Sequence, residues 1–160
     1  MRRRPSPGKA TSAVSEIEAH LGYWLRLVSN HVSHGFRVKM EASGVTVSEW
    51  VVLRELYRLG RSSPGALVRE IGLSKGAISK LIDRLAGKHL VTRTALEADR
   101  RHQEVELTPQ GRALVPRLAR LADDNDRQFF GHLSPEARSA LLQAMRAIAQ
   151  IHQFKGAAVD

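Results

Sequence analysis

Apolar residues recur every three or four positions through Val14, Ile17, Leu21, Trp24, Leu25, Val28 and Val32. That spacing predicts an amphipathic helix with Leu21, Trp24 and Val28 on one face. The stripe loosens near His31, His34 and Gly35 and closes before Ser43-Gly44. Thr46-Val47-Ser48-Glu49 then forms a capping box, the hydroxyl capping the first turn while the glutamate reaches back. It predicts a second helix that carries Trp50, Leu53, Leu56 and Tyr57 and stops at Gly60. Ser63-Pro64 opens a short helix that Gly72 ends, and Ser74 at once caps another, SKGAISKLIDRLAGK. Thr108-Pro109 and Ser134-Pro135 each start a long helix, with proline at the first helical position, where its missing N–H costs nothing.

Between residues 90 and 107 the apolar period falls from about 3.6 to about 2, which predicts strands at 90–94 and 103–107 around a loop at 96–102. The order is helix, helix, short helix, helix, β-hairpin, helix, helix. The predicted fold class is therefore mainly α with a small β-hairpin wing. A short helix, a tight turn at Gly72-Leu73 and a longer helix make the helix-turn-helix pattern, whose second helix enters the DNA major groove.

The second helix of that pair divides cleanly at about 100° per residue. Ile78, Leu81, Ile82 and Leu85 fall in one arc that must face the core. Opposite lie Lys75, Gly76, Ser79, Lys80 and Asp83, with Arg84 at the flank. Gly76, Ala77 and Ser79 are small enough for the backbone to approach a base edge or a phosphate. Lys75 and Lys80 can neutralise phosphate or donate to guanine, and the Ser74-capped N-terminus adds partial positive charge. Asp83 faces a DNA surface badly unless it pairs with Arg84 or accepts from a cytosine amine.

Composition sharpens this picture. The 160 residues carry a formal net charge of +9, which favours a polyanionic partner, nucleic acid before membrane. Cysteine is absent, so disulfides, thiolate metal sites and thiol redox sensing are excluded, in keeping with a cytoplasmic protein. No stretch approaches a membrane span. The basic start MRRRPSPGK has no apolar segment behind it and reads as a disordered tail over 1–12, the other reading being a basic arm along DNA phosphates. In LEADRRHQEVELTPQG, residues 96–111, Arg100 and Arg101 stand beside Asp99 at the predicted hairpin tip. An exposed ion pair contributes only about 0–1 kcal/mol, so these arginines are held out for something other than stability.

The pieces LVREIGLSKGAISKLIDRLAGKHLV, DRR and LTPQG, in this order and at these spacings between Ser63 and Gly111, resemble the winged helix-turn-helix of MarR-type bacterial transcription regulators. The resemblance implies a homodimer whose first and last two helices (13–45 and 113–160) interlock as a dimerisation body. Two winged domains (46–112) then read a pseudo-palindromic DNA operator, the protein acting as a repressor. It further implies that a wing arginine, Arg101 or the adjacent candidate Arg100, enters the minor groove while the other contacts phosphate, and that Asp99 steadies the wing. The DNA-contacting set expected is Ser74, Lys75, Gly76, Ser79, Lys80, Arg84, Asp99, Arg100 and Arg101. Lys88-His89 departs from the family's Lys-Gly before the first wing strand, and Glu97 is a carboxylate that could repel DNA or tie back Arg93 or Arg100.

The resemblance also implies release from DNA by a small aromatic or phenolic effector. Trp24, Val28 and His31 with Trp50, Leu53 and Arg54 are the residues considered for such a pocket, the other reading being core or dimer packing. A metal-responsive regulator of the same fold is the alternative raised by His31 with His34 and Glu16 with His20, at helical spacings that can hold a metal. No segment supplies three or four ligands, so neither metal nor cofactor is expected. A winged-helix interaction module without DNA binding has to explain why Lys75, Lys80, Arg100 and Arg101 are basic. An enzyme is not expected, because no phosphate loop or nucleophile–base motif is present. Glu104 and Glu106, which share one strand face, read as solubilising charges.

Overall fold

The computed structural model describes residues 14–96 and 99–154. Side chains at 95–96 and 99–102 are outside the described set. The predicted basic tail at 1–12 and Glu97 therefore lie outside the described residues. Two compact units divide the chain at His31–Val32.

In the first unit a 3₁₀ turn, Ile17–Ala19, precedes helix α1, Leu21–Ala42, which runs on into the second. The apolar stripe predicts one continuous helix from Val14, but His20 is extended (ψ 123°) and breaks it. The Trp24 indole N–H donates to the Glu18 carbonyl at 2.9 Å across that break, and Tyr23 packs edge-on to Trp24.

The second unit holds the rest of α1 and helices α2 (Val47–Leu59), α3 (Pro64–Ile71), α4 (Lys75–Gly87), α5 (Pro109–Phe130) and α6 (Pro135–Ile151). Between α4 and α5 lies an antiparallel hairpin, β1 (Val91–Leu96) and β2 (Asp99–Leu107). Every helix start from α2 onward is built as the sequence dictates. The Thr46 hydroxyl accepts from the Glu49 N–H at 3.2 Å and the Glu49 carboxylate accepts from the Thr46 N–H at 2.8 Å. Ser63, Ser74, Thr108 and Ser134 cap their helices through the N–H of Ala66, Ala77, Gly111 and Ala137. Gly72 takes the left-handed conformation (φ 79°), which costs glycine little and permits the tight turn from α3 to α4.

The core gathers Leu53 and Leu56 of α2, Leu67 and Ile71 of α3, the predicted Ile78, Leu81, Ile82 and Leu85 arc of α4, Val105 of β2, and Val115 and Leu118 of α5. At about 1.5–3 kcal/mol for each fully buried aliphatic side chain, this cluster is what orients α4. The hairpin differs from expectation. Toward the tip its strands extend further than 94 and 103, to Leu96 in β1 and from Asp99 in β2. The backbone of Asp99, Arg100 and Arg101 belongs to β2, with Asp99 opposite Leu96. The register slips between Ala95 and Leu96, as at a bulge.

Three close approaches fix the hairpin root. Ser62 pairs with Val105 through two backbone hydrogen bonds of 3.0 and 2.8 Å, adding a one-residue strand that no sequence periodicity signals. The Thr108 N–H donates to the Leu90 carbonyl (3.1 Å) and its hydroxyl to the His89 carbonyl (2.8 Å). His89 is left-handed (φ 58°), a conformation that glycine would adopt at less cost. Gly111 sits so tightly under this turn that a Cβ there would lie 2.0 Å from the Leu90 carbonyl oxygen.

Farther along, Gly35 lets α1 approach α5, since a Cβ would meet Asn125 and Phe129 at 3.0 Å. Asn125, buried, donates to the Val32 carbonyl and accepts from the Lys39 ammonium at 2.9 Å. Helix α6 buries none of its residues and leaves Leu141, Leu142, Met145 and Ile148 exposed.

Candidate nucleic-acid interface

Helix α4 presents Ser74, Lys75, Gly76, Ser79, Lys80 and Arg84 to solvent as one set, opposite its buried arc. Beyond its chain neighbours and its own helix backbone, no described atom lies within 4 Å of a Cβ placed on Gly76. Nothing inside the chain therefore requires glycine there, and the open backbone is available to an outside surface. Lys75 and Ser79 join Ser63, Gly65, Arg93 and Gln103 around a cleft of about 410 Å³ between the start of α3, α4 and the hairpin. Backbone N–H groups and cations around such a cleft favour negative charge.

Charged pairs settle which cations remain outward. The Asp83 carboxylate, expected to need Arg84 or a base, is instead 2.8 Å from the Arg93 guanidinium, which also donates to the Ser79 carbonyl at 3.4 Å. Arg93, for which Glu97 was the partner considered, thus bridges the hairpin to α4. Glu104 and Glu106 do more than solubilise their strand. Both face Arg61, at 3.4 and 3.2 Å, and the hydrogen bond to Glu106 leads the charges that raise the Arg61 guanidinium pKa above its usual range. Lys88, at the end of α4, reaches Glu49 at 2.7 Å and the Gly44 carbonyl at 2.8 Å. Glu49 is only 1% exposed, so the α2 capping box and the α4 terminus share one buried charge. These long-range pairs were missed in the sequence, which carries no spacing signal for them.

Asp99, Arg100 and Arg101 are placed on β2 by backbone, and their side chains lie outside the described residues. Of the residues considered for an effector pocket, Trp50 and Leu53 sit in the core of the second unit, while Arg54 is exposed and stacks over the Trp50 ring at 5.9 Å. Trp24, Val28 and His31 lie exposed in the first unit, with His31 Nδ1 2.9 Å from the Leu27 carbonyl. Among the described residues no group of three or more His, Cys, Asp or Glu could hold a metal ion. No described helix is long and apolar enough to cross a membrane.

A helix-turn-helix followed by a two-stranded hairpin, flanked by long helices, defines a winged helix-turn-helix. Residues 43–102 match the model of the MarR family. The transcriptional regulator HosA of Escherichia coli is 26% identical over 113 residues, covering 71% of this chain and 84% of HosA. The transcriptional repressor NicR of Pseudomonas putida is 25% identical over 142 residues, 89% of this chain and 90% of NicR. The structure of Bordetella bronchiseptica BpsR, whose DNA binding is regulated by 6-hydroxynicotinic acid, superposes with a TM-score of 0.72 at 28% identity, over 85% of this chain and 97% of BpsR. Over residues 43–102, and along most of its length at 25–28% identity, the chain is similar to MarR-family transcriptional regulators.

Proposed function

We propose that the chain is a homodimeric DNA-binding repressor that reads two operator half-sites about one helical turn apart. The outward cationic face of α4, beside a hairpin whose far end carries Arg100 and Arg101, is the observation that supports it most directly. Lys75, Lys80 and Arg84, with the Ser74-capped N-terminus, meet the major groove and its phosphates; Gly76 and Ser79 allow close approach. Arg101 enters the adjacent minor groove, Asp99 orients it, and Arg100 contacts phosphate. Residues 46–112 form the DNA-binding domain, and 13–45 with 113–160 form the dimerisation body. The apolar, unburied face of α6 supports that division. NicR, named a repressor, supports the sign of regulation, and BpsR supports an effector that is a small hydroxylated aromatic acid.

Fluorescence anisotropy on the DNA upstream of the chain's own gene, across a salt series, tests this reading. Lys75→Ala and Lys80→Ala should each lower the slope of log K against log salt by about one unit. Arg101→Ala should cost roughly 1–3 kcal/mol, most on A·T-rich sites with a narrow minor groove. An unchanged slope in both lysine variants overturns the assignment of the α4 face. Addition of 6-hydroxynicotinic acid and related phenolic acids to the same assay should weaken binding.

A further inference from the structure

The geometry points to Asp83 and Arg93 as positioning residues that lock the angle between hairpin and α4, so that the far end of the hairpin reaches DNA while α4 lies in its groove. The inference rests on the DNA-reading role proposed above. In the strand register Arg93 stands opposite Val105, and directly opposed residues share a face of the hairpin. Val105 is wholly buried, so Arg93 leaves the hairpin on its inner side, toward α4. There its guanidinium meets the Asp83 carboxylate at 2.8 Å and the Ser79 carbonyl at 3.4 Å. Ser79 and Asp83 are one helical turn apart, so a single planar side chain spans a turn of the very face assigned to DNA. On the outer side of the hairpin Glu104 and Glu106, opposite Thr94 and Thr92, take Arg61. The stem is gripped on both faces.

Stability does not explain the Asp83–Arg93 pair. The Asp83 side chain is 61% and the Arg93 side chain 33% exposed, and an ion pair so wet adds little to folding. Nor does DNA affinity by itself explain it, because a carboxylate on a DNA-facing helix repels phosphate. Orientation does. A two-stranded ribbon is marginal alone, so its direction is set by what holds its sides. Asp83 neutralised by Arg93 supplies a hold without leaving bare negative charge on the reading face.

The experiment combines Asp83→Asn and Asp83→Glu with Arg101→Ala, measuring DNA affinity of the full chain and amide hydrogen exchange of the hairpin without DNA. Arg101→Ala should weaken the parent about tenfold. In the Asp83→Asn background it should weaken binding by less than about threefold, because a loosened hairpin no longer delivers the arginine. Asp83→Glu, which keeps the carboxylate, should retain the larger effect. Hairpin amides should exchange faster in Asp83→Asn while the melting temperature stays near that of the parent. If Asp83→Asn bound DNA more tightly, with the Arg101→Ala effect and the exchange unchanged, Asp83 would merely repel DNA and the positioning role would fall alone. If the parent bound no DNA, the proposed function would fall, and the positioning role with it, whatever the exchange showed.

Discussion

Gly111→Ala should lower the melting temperature by roughly 6–12 °C. A Cβ at this position would lie 2.0 Å from the Leu90 carbonyl oxygen and 3.0 Å from its carbon. Both atoms are backbone, in the turn where the Thr108 N–H and hydroxyl also bind, so no side chain can swing aside to make room. Relief requires prising α5 from the hairpin root, which breaks the Thr108 bonds to Leu90 and His89. Overpacking with backbone displacement costs about 3 kcal/mol, and each kcal/mol shifts the midpoint by about 2–4 °C in a chain of this size. The higher helix propensity of alanine, roughly 1 kcal/mol, works the other way and is smaller. A thermal melt followed by circular dichroism decides it: a melting temperature equal to the parent's would mean that the close approach is not present in solution.

Lys88→Ala should be nearly as damaging, through charge rather than volume. Glu49 is almost fully buried, and its Oε2 receives both the Lys88 ammonium at 2.7 Å and the Thr46 N–H at 2.8 Å. Removing one member of a buried pair strands the other charge, at about 3–5 kcal/mol. Lys88 is itself 38% exposed, so water can partly replace it, and the expected loss is about 2–3 kcal/mol. The lost bond to the Gly44 carbonyl contributes to that figure. Adding Glu49→Gln should restore more than half the loss, since the amide oxygen can still accept from Thr46 and no charge is stranded. Urea denaturation of both variants provides the measurement. A double variant no more stable than Lys88→Ala would show that charge is not the cause.

What could be read in the sequence was local chemistry. Thr46, Ser63, Ser74, Thr108 and Ser134 each bond an N–H three residues on, and that bond needs no knowledge of the rest of the chain. The Ile78, Leu81, Ile82, Leu85 arc was equally legible, because helical period alone puts those residues on one side. The strand ends were not, since DRRH interrupts the alternation although β2 runs from Asp99. The ion pairs Asp83–Arg93, Arg61–Glu104, Arg61–Glu106 and Glu49–Lys88 were illegible for another reason. They join elements that only tertiary packing brings together, and Asp83 and Arg93 also had a charged neighbour nearer in sequence, Arg84 and Glu97. For the candidate interface, the consequence is a division of labour among cations. Arg61, Lys88 and Arg93 hold structure, while Lys75 and Lys80 on α4 remain outward.

Helix α6 has no fully buried residue within its own chain. Most helical stability in proteins comes from packing an amphipathic face, and in the proposed homodimer a second copy would supply that packing for the exposed apolar face of α6. Folding and assembly are then a single equilibrium, and the melting temperature becomes a function of concentration. The amount of regulator in a cell would set not only how many operators are filled but how much of each chain is folded at all. Dilution would thus act on such a repressor twice.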